Sequence, residues 1–235
     1  MKLAGVKPFS RQGCRKSARL VPMKIDFVSD VSCPWCAIGL KSLEAALQRV
    51  PELQVDLHFQ PFELNPGMAP EGEDINEHLG RKYGMPLAQL EANRAAIRQR
   101  GAAVGFDFVQ GARSRIYNTF DAHRLLHWAG LQGGSYQHDL KLALLKAYFS
   151  DGQDPSSHAL LLERATSVGL DADAARTVLE SGQYADEVRE AEAFYQSHGI
   201  HSVPAVIINE RHLISGGQPV EVFEQALRQI AAEAG

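Results

Sequence analysis

Apolar and polar residues alternate in different ways along the chain, and the first part of the pattern predicts a strand, a helix and a second strand. "KIDFVSD" is a short strand pattern that begins just after Met23. In "AIGLKSLEAALQRV" the apolar positions from Ile38 to Val50 keep near-helical spacing, and Pro51 marks the end of the helix. "LQVDLHFQ" alternates cleanly between apolar and polar residues, which predicts a strand.

The middle of the chain, from about residue 68 to 198, contains no convincing strand pattern. Seven segments predict helices: "GEDINEHLGRKYG", "LAQLEANRAAIRQRGAAVG", "SRIYNTFDAHRLLHWAG", "SYQHDLKLALLKAYFSDG", "SSHALLLERATSVG", "DADAARTVLESG" and "YADEVREAEAFYQSHG". Each is followed by or ends near a glycine, as helices often are. We expect the first two to end at Gly84 and Gly101.

The strand pattern returns near the C-terminus. "VPAVIIN" is a continuous, β-branched apolar run, which is typical of a strand buried on both faces. "RHLISGG" is predicted to pair with it across a tight turn at residues 209–210. A final amphipathic helix is predicted to begin at Pro219, with Val222, Ala226 and Ile230 facing inward.

This order of elements predicts an α/β fold. Residues 23–66 and 184–235 together are about as long as one small domain, and joining them gives βαβ…αββα. That is the order of the thioredoxin fold. We therefore predict a thioredoxin-like domain in two segments, 23–66 and 184–235, interrupted by a large all-helical insertion over 67–183.

Composition and charge narrow the function classes. The chain has 235 residues, of which 45% are hydrophobic, enough to bury a sizeable core. A net charge of −4 gives no basic footprint for nucleic acid, and no run approaches the roughly 20 apolar residues of a membrane span. Residues 1–22 are basic without one acidic residue, which predicts a disordered arm or a mis-assigned start upstream of Met23. Since this arm lacks the apolar region of a secretory signal, we expect a cytoplasmic protein.

The stretch "SDVSCPWCAIGL" holds the most informative residues. Of three cysteines, Cys14 lies in the basic arm, and Cys33 and Cys36 stand in a C-x-x-C pair. Cys33 comes just before the predicted helix, with Pro34 at its first position. Unpaired N–H groups and the positive end of the helix dipole favour a thiolate there, while Cys36 lies one turn further in. The pair predicts a redox-active dithiol, because Cys36 can release what Cys33 attacks.

A structural zinc site is the alternative for such a pair, and it needs four ligands. The third cysteine is in the arm, so the remaining candidates are His123 and His127, spaced H-x3-H on a predicted helix. Nothing in the predicted fold requires these histidines to meet the cysteines. We therefore predict no metal.

Val203-Pro204 stands at the entry to the buried C-terminal strand. Proline cannot donate a ladder hydrogen bond, so its presence there needs a reason. In thioredoxin folds a cis-proline at this place packs against the cysteine pair, and the preceding residue offers its backbone to an extended substrate. A trans-proline that merely starts an edge strand is the alternative.

Five ordered motifs together resemble the DsbA-like oxidoreductases of the FrnE type: "SDVSCPWCAIGLKSLEAAL", "FELNPGM", "NTFDAHRLLHWA", "GIHSVPAVIIN" and "ISGGQPVEVFEQAL". The resemblance implies dithiol–disulfide exchange, with Cys33 as nucleophile and Cys36 as resolving thiol. It also implies that Pro204 is the cis-proline and that His123, in the recurrent "AHR", faces the active-site cleft. The predicted substrate contacts are Pro34, Trp35, Val203, Pro204 and His123.

Two departures limit what the resemblance implies. Periplasmic DsbA has Pro-His between its cysteines and a signal peptide, so strong oxidant character does not carry over to Pro-Trp. Thioredoxin has a buried aspartate six residues before its first cysteine. Here Asp26 is seven and Asp30 three residues before Cys33, which leaves the role of proton acceptor unassigned.

Two other functions stay open. Chromene-carboxylate isomerases and kappa-class glutathione transferases are similar in "SDVSCPWC", but they have Ser at the position of Cys33 and no second cysteine. A peptide-binding module with a vestigial dithiol is the non-enzymatic alternative. For the redox function we expect no bound cofactor, and protein or small-molecule thiols and disulfides as partners. Glutathione as a co-substrate and a homodimer are both compatible with the sequence.

Overall fold

The computed structural model describes residues 22–234. The basic arm, with Cys14, lies outside the described residues apart from Pro22, so the expectation for it stays a prediction. The strands are β1 (Met23–Ser29), β2 (Val55–Pro61), β3 (Glu73–Asp74), β4 (Arg115–Ile116), β5 (Ala205–Ile208) and β6 (His212–Ser215). The helices are α1 (Pro34–Gln48), α2 (Ile75–Tyr83), α3 (Leu87–Ala103), α4 (Phe120–Leu131), α5 (Tyr136–Phe149), α6 (His158–Ser167), α7 (Ala172–Ser181), α8 (Ala185–Ser197) and α9 (Val220–Ala234).

The main sheet has the strand order β2-β1-β5-β6, as the thioredoxin fold requires. β1 and β2 are parallel because α1 carries the chain across the sheet between them, and β5 pairs antiparallel with β1. Ile25 and Phe27 are fully buried, since β1 is central and covered on both faces. The predicted fold class is confirmed.

The C-terminal hairpin also forms as predicted. β5 and β6 pair antiparallel around a turn at Asn209 and Glu210, both of which have left-handed backbones, with φ of 50° and 59°. Asparagine tolerates this region well, and a two-residue turn of this hand suits the twist of a hairpin. The side-chain oxygen of Asn209 also accepts a hydrogen bond from the backbone N–H of Lys24 (3.0 Å), which ties the turn to β1.

The inserted segment packs directly against the sheet. Phe106, Phe108, Tyr148 and Phe149 belong to the same buried cluster as the residues of β1, α1 and β5. A second cluster lies among α4, α5, α6 and α7, and it also includes Val31 from the loop before the cysteines. The insertion therefore forms one wall of the region in which the cysteines lie. The boundaries of the two predicted domains stay a prediction.

The sequence analysis missed one short strand pair in the middle of the chain. β3 and β4 are two residues each and pair antiparallel, with Glu73 opposite Ile116. As a result, the helix predicted over "SRIYNTFDAHRLLHWAG" begins only at Phe120, whose backbone N–H donates to the side chain of Asn118 (2.9 Å). Such a pair is invisible to sequence periodicity, because two residues are too few to show alternation.

Two further predictions about helices were wrong. α3 does not end at Gly101 but continues to Ala103, and Gly101 is needed instead for close packing: a Cβ there would lie 2.3 Å from the ring of Phe108. In α9, Val222 is 41% exposed, and Phe223 is fully buried in its place. Ile230 is buried as predicted and Ala226 is half-buried, so the clear error is at the first position, where the larger aromatic side chain of the next residue fills the core. No helix within residues 22–234 is long and apolar enough to cross a membrane.

Candidate active site

Cys33 and Cys36 lie where β1 gives way to α1. The backbone N–H of Cys33 donates to the carbonyl of Asp30 (3.3 Å), and Cys33 then caps the helix with an extended backbone. Pro34 occupies the first helical position, as predicted, where its missing N–H costs nothing. The first turn of α1 contains no acidic residue. The positive end of the helix dipole therefore faces Cys33 without a neutralising carboxylate in that turn.

The two thiols have opposite environments. Both are free cysteines, with Cys33 4% exposed and Cys36 fully buried. A hydrogen bond from the thiol of Cys36 lowers the pKa of Cys33, against the opposing effect of burial. Burial, together with the neighbouring Cys33, raises the pKa of Cys36 well above the usual value. Cys33 is therefore the thiol of the pair that ionises more readily, and Cys36 is the one that stays protonated.

Asp30 is a buried carboxylate directly beside this pair. Its two oxygens accept hydrogen bonds from the backbone N–H groups of Ser32 (3.0 Å) and Leu64 (2.8 Å). Burial would raise the pKa of Asp30, but the nearby His123 and these two N–H groups lower it to about 2. Asp30 is therefore ionised at neutral pH. It is a fixed negative charge rather than a group poised to accept a proton.

Asp26 is the other aspartate that could correspond to the proton acceptor of thioredoxin, and its contacts differ from those of Asp30. It is buried, accepts a hydrogen bond from the side chain of Gln60 (2.7 Å) and lies 3.2 Å from the ammonium of Lys24. These contacts tie it to the neighbouring strand and to the outer surface of the sheet.

Lys141 of α5 is a buried cation that the sequence analysis missed. It is 1% exposed, and burial lowers its pKa, while the charges of Cys36, Asp30 and Cys33 oppose that shift. An amine in this place offsets negative charge on Asp30 and on either thiol. One signal could have revealed it: Lys141 falls on the apolar stripe of α5, three and four residues before the buried Leu144 and Leu145.

His123 does not face the cleft, contrary to the expectation. It is 2% exposed, and its Nε2 lies 3.7 Å from Asp30 Oδ1 and finds no hydrogen-bond partner among the residues described. The histidine is interior because the face of α4 that carries it packs onto β2 and α5. It borders the same small cavity as Lys141. His123 can influence the dithiol only through Asp30, not by touching a substrate.

His127, the second histidine of the zinc alternative, is half-buried against the ring of Tyr184, and burial lowers its pKa. Within residues 22–234, no three His, Cys, Asp or Glu side chains form a group that could hold a metal ion.

Val203 and Pro204 lie across from the cysteines. The Val203–Pro204 peptide bond is cis, and the thiol of Cys33 donates to the carbonyl of Val203 (3.6 Å). Gly39 of α1 makes this approach possible, because a Cβ there would lie only 3.0 Å from Pro204 Cγ. Pro34 and Trp35 are both part-exposed, and the guanidinium of Arg100 lies over the ring of Trp35 at 5.4 Å. The structure thus brings the buried Cys33 and Cys36 together with the buried Val203 and Pro204, next to the part-exposed Pro34 and Trp35, and leaves His123 apart from them.

Comparisons with known proteins agree with this architecture. The family described as a DSBA-like thioredoxin domain matches residues 24–228. A probable DsbA oxidoreductase from Streptomyces coelicolor, a solved structure, is 35% identical and covers 90% of this chain and 91% of its own, with a TM-score of 0.83. The uncharacterized protein YwbO of Bacillus subtilis is 26% identical over 86% of this chain and 94% of its own.

A more distant structure has the same fold. A 2-hydroxychromene-2-carboxylate isomerase superposes with a TM-score of 0.66 over 90% of this chain and 97% of its own, at 14% identity. At that identity the similarity shows the fold alone.

Proposed function

Because this chain belongs to the DSBA-like thioredoxin domain family, we propose that it is a thiol–disulfide oxidoreductase that works through the dithiol of Cys33 and Cys36. The observation that carries the proposal is the opposite effect of the surroundings on the two thiols. The pKa of Cys33 is lowered at the helix N-terminus, and that of the buried Cys36 is raised. The name of the Streptomyces relative adds support.

The exchange proceeds in two steps in the reducing direction. The thiolate of Cys33 attacks one sulfur of a substrate disulfide, a bond forms between the two sulfurs, and the other substrate sulfur leaves as a thiolate that takes a proton from water. Cys36 then loses its proton and attacks Cys33 Sγ. The Cys33–Cys36 disulfide forms, the bond between Cys33 and the substrate breaks, and the second substrate sulfur leaves as a thiolate that takes up a proton in place of the one lost by Cys36. Two electrons and two protons have then passed from the protein to the substrate.

An external thiol must then reduce the protein for another turnover, and glutathione is one candidate. The oxidising direction uses the same mixed disulfide in reverse, so the reduction potential of the pair determines the direction of electron flow. Equilibration with glutathione buffers measures that potential.

Val203 and Pro204 supply the substrate-binding surface in this proposal. An extended peptide can pair with the backbone of Val203, as an added strand does, and this holds its disulfide against Cys33. Trp35 and Pro34 form the other side of the contact. We do not place His123 at the substrate, since it is buried beside Lys141 and Pro61 and away from Val203 and Pro204.

The test is the reduction of insulin or of a mixed-disulfide peptide. We expect Cys33→Ser to abolish it and Cys36→Ser to accumulate the mixed disulfide, because the resolving thiol is gone. Cys14→Ser, which removes the third cysteine, is the matched control and should leave the rate unchanged. Equal rates for the wild type and Cys33→Ser would contradict the proposal.

A glutathione-dependent isomerase or transferase is the second candidate, and the fold of the chromene-carboxylate isomerase favours it. The same variant separates the two functions. If Cys33→Ser keeps full turnover on a chromene-type substrate, the redox proposal is wrong. A peptide-binding module without redox activity would instead show a Cys33 that titrates like a free thiol, with a pKa of about 8.5, when thiolate absorbance is followed.

A further inference from the structure

A small pocket lies beside the cysteine pair and is distinct from the Val203 surface. Pro34 forms one wall of it, so the pocket begins one residue from Cys33. Its apolar lining comes from Ile75, Ile97, Phe108 and Phe149. Its volume is about 70 Å³, and it is open to solvent. That is room for roughly two molecules of liquid water at about 30 Å³ each, so the pocket suits the end of one side chain rather than a cofactor.

Three arginines, Arg94, Arg98 and Arg113, also line this pocket, next to the segment 109–111. Arg94 is already neutralised, because it pairs with Glu91. Arg98 and Arg113 have no carboxylate within ion-pair distance among residues 22–234, and neither has Arg100, which covers Trp35 next to the pocket. The chain as a whole has a net charge of −4, so this cluster of uncompensated positive charge stands out against an acidic molecule.

Arg113 is held in a fixed orientation without being neutralised. Its guanidinium lies over the rings of Tyr148 (5.1 Å) and Phe149 (5.2 Å), and its Nε donates to the hydroxyl of Tyr148 (2.9 Å). Stacking and a single hydrogen bond leave the positive charge of the guanidinium intact. They also leave its other N–H groups able to donate to a carboxylate. A preorganised, part-buried arginine of this kind binds a carboxylate more strongly than a freely moving one on the surface.

Arg113 is also near the reactive cysteine, because it lines the same pocket as Pro34, the residue that follows Cys33. Burial and a negative charge at Cys33 raise the pKa of the nearby Tyr83, and Arg113 lowers it. A substrate held at Cys33 would therefore bring the side chain of the residue two positions from its own cysteine within reach of this pocket, because side chains on the same face of an extended peptide lie about 7 Å apart.

We propose that this arginine pocket, formed by Arg98 and Arg113 beside Pro34, binds the carboxylate of an acidic residue that flanks the disulfide-bonded cysteine of a protein substrate. The pocket thereby selects disulfides in acidic segments. This inference rests on the proposed oxidoreductase function and adds the class of substrate to it.

The experiment uses two peptides that differ in one residue. Both carry the same cysteine in a mixed disulfide with a chromogenic thiol, and the residue two positions from that cysteine, on the same face of an extended peptide, is Glu in one peptide and Gln in the other. Release of the thiol gives kcat/KM for each peptide with the full-length protein. We expect the wild type to prefer the Glu peptide by about tenfold at low salt, as charge-assisted hydrogen bonds would give.

The variants Arg113→Gln and Arg98→Gln are expected to bring the ratio of the two kcat/KM values close to one. Two variants are needed because Arg113 donates a hydrogen bond to the core residue Tyr148, so its replacement can also alter the fold. Arg98 makes no such bond to Tyr148. Arg176→Gln, on the exposed surface of α7, is the control and should keep the wild-type ratio. The preference should also fall as salt is raised, since part-exposed charges are screened.

Equal kcat/KM values for the two peptides in the wild type would overturn the inference, as would a preference that survives in both arginine variants. The same thiol release is measured from a mixed disulfide of glutathione. If Arg98→Gln and Arg113→Gln slow that release and leave both peptides unaffected, the inference is also overturned, because the pocket would then recognise the tripeptide rather than a protein segment. Failure of the oxidoreductase function is distinguishable: neither peptide would then release its thiol faster with the wild type than with Cys33→Ser.

Discussion

At the residue scale, the surroundings of two chemically identical thiols decide which of them reacts first. The hydrogen bond from Cys36 lowers the pKa of Cys33 at the helix N-terminus, although burial and the charge of the ionised Asp30 raise it, whereas burial and the neighbouring Cys33 raise the pKa of Cys36. For Cys36 to become the attacking thiolate in the second step, a cation must offset that second negative charge in a region of low dielectric. Lys141 is the buried side chain that can do so.

Lys141→Met tests this role of the buried amine. Methionine keeps the length and removes the charge, so we expect the fold to be retained and the attack by Cys36 to slow by about tenfold, which corresponds to about 1.4 kcal/mol. The mixed disulfide at Cys33 should therefore accumulate, as rapid acid quenching and mass spectrometry would measure. Lys146→Met, on the same helix but 65% exposed, is the matched control. A normal rate of resolution in Lys141→Met would contradict the role.

Asp30 makes the stability of the protein depend on pH. Its pKa is lowered from 3.8 to about 2 in the folded state, so the stabilisation is fully present above about pH 4 and is lost as the pH falls through 2. The shift corresponds to about 2 kcal/mol.

Asp30→Asn cannot titrate and lacks this pH-dependent part. We expect the difference in the free energy of unfolding between wild type and variant, from urea titrations, to shrink by about 2 kcal/mol between about pH 5 and about pH 2. A difference that does not change with pH would show that Asp30 is not held in its charged form.

At the element scale, glycines determine how closely the helices approach their neighbours. Gly39 lets α1 meet Pro204, and Gly101 lets the end of α3 meet Phe108. Both are helical positions at which glycine is intrinsically unfavourable, so close packing rather than backbone conformation accounts for them. A sequence pattern shows the glycine and not the contact, which is why Gly101 was mistaken for a helix end.

The same substitution at two helical glycines should therefore have opposite effects. In Gly101→Ala the new Cβ would lie 2.3 Å from the ring of Phe108 and 2.7 Å from the carbonyl of Phe106, and we expect a destabilisation of about 1–3 kcal/mol. In Gly80→Ala, within α2, the nearest atom is 3.7 Å away, so helix propensity should stabilise the protein by up to about 1 kcal/mol. Urea unfolding of both variants measures the two signs, and a gain in stability for Gly101→Ala would contradict the packing argument.

At the scale of the whole molecule, the inserted helices and the sheet share one core. Phe106 and Tyr148 of the insertion pack in the same cluster as Phe27 and Cys36. The candidate site depends on this, since the cysteines come from one part of the chain and Lys141 from the other. The two parts are therefore expected to unfold together.

Two probes can test this cooperativity. In a Trp35→Phe background the remaining tryptophan of the chain, Trp128, reports on the core of α4 to α7, and alkylation of Cys36 reports on α1. We expect both signals to change at the same urea concentration. If Trp128 fluorescence changes at a clearly lower urea concentration than the one at which Cys36 is alkylated, the insertion unfolds on its own. The shared core would then not couple the two parts.

The sequence by itself determined what depends on neighbours along the chain. Periodicity gave the strands β1, β2, β5 and β6 and most helices, and the order of these elements predicted the thioredoxin fold. Pro34 and the C-x-x-C spacing located the dithiol at a helix N-terminus, because capping is a local property.

Only the tertiary structure decided what depends on residues far apart in the chain. It buried Lys141 and His123 near Asp30, and it placed Phe223 rather than Val222 in the core. It also placed Arg113 beside Pro34. A periodic pattern states which side of a helix is buried but not which partner it meets. The charge on a thiol is set by those partners, because electrostatic effects act through space and not along the sequence.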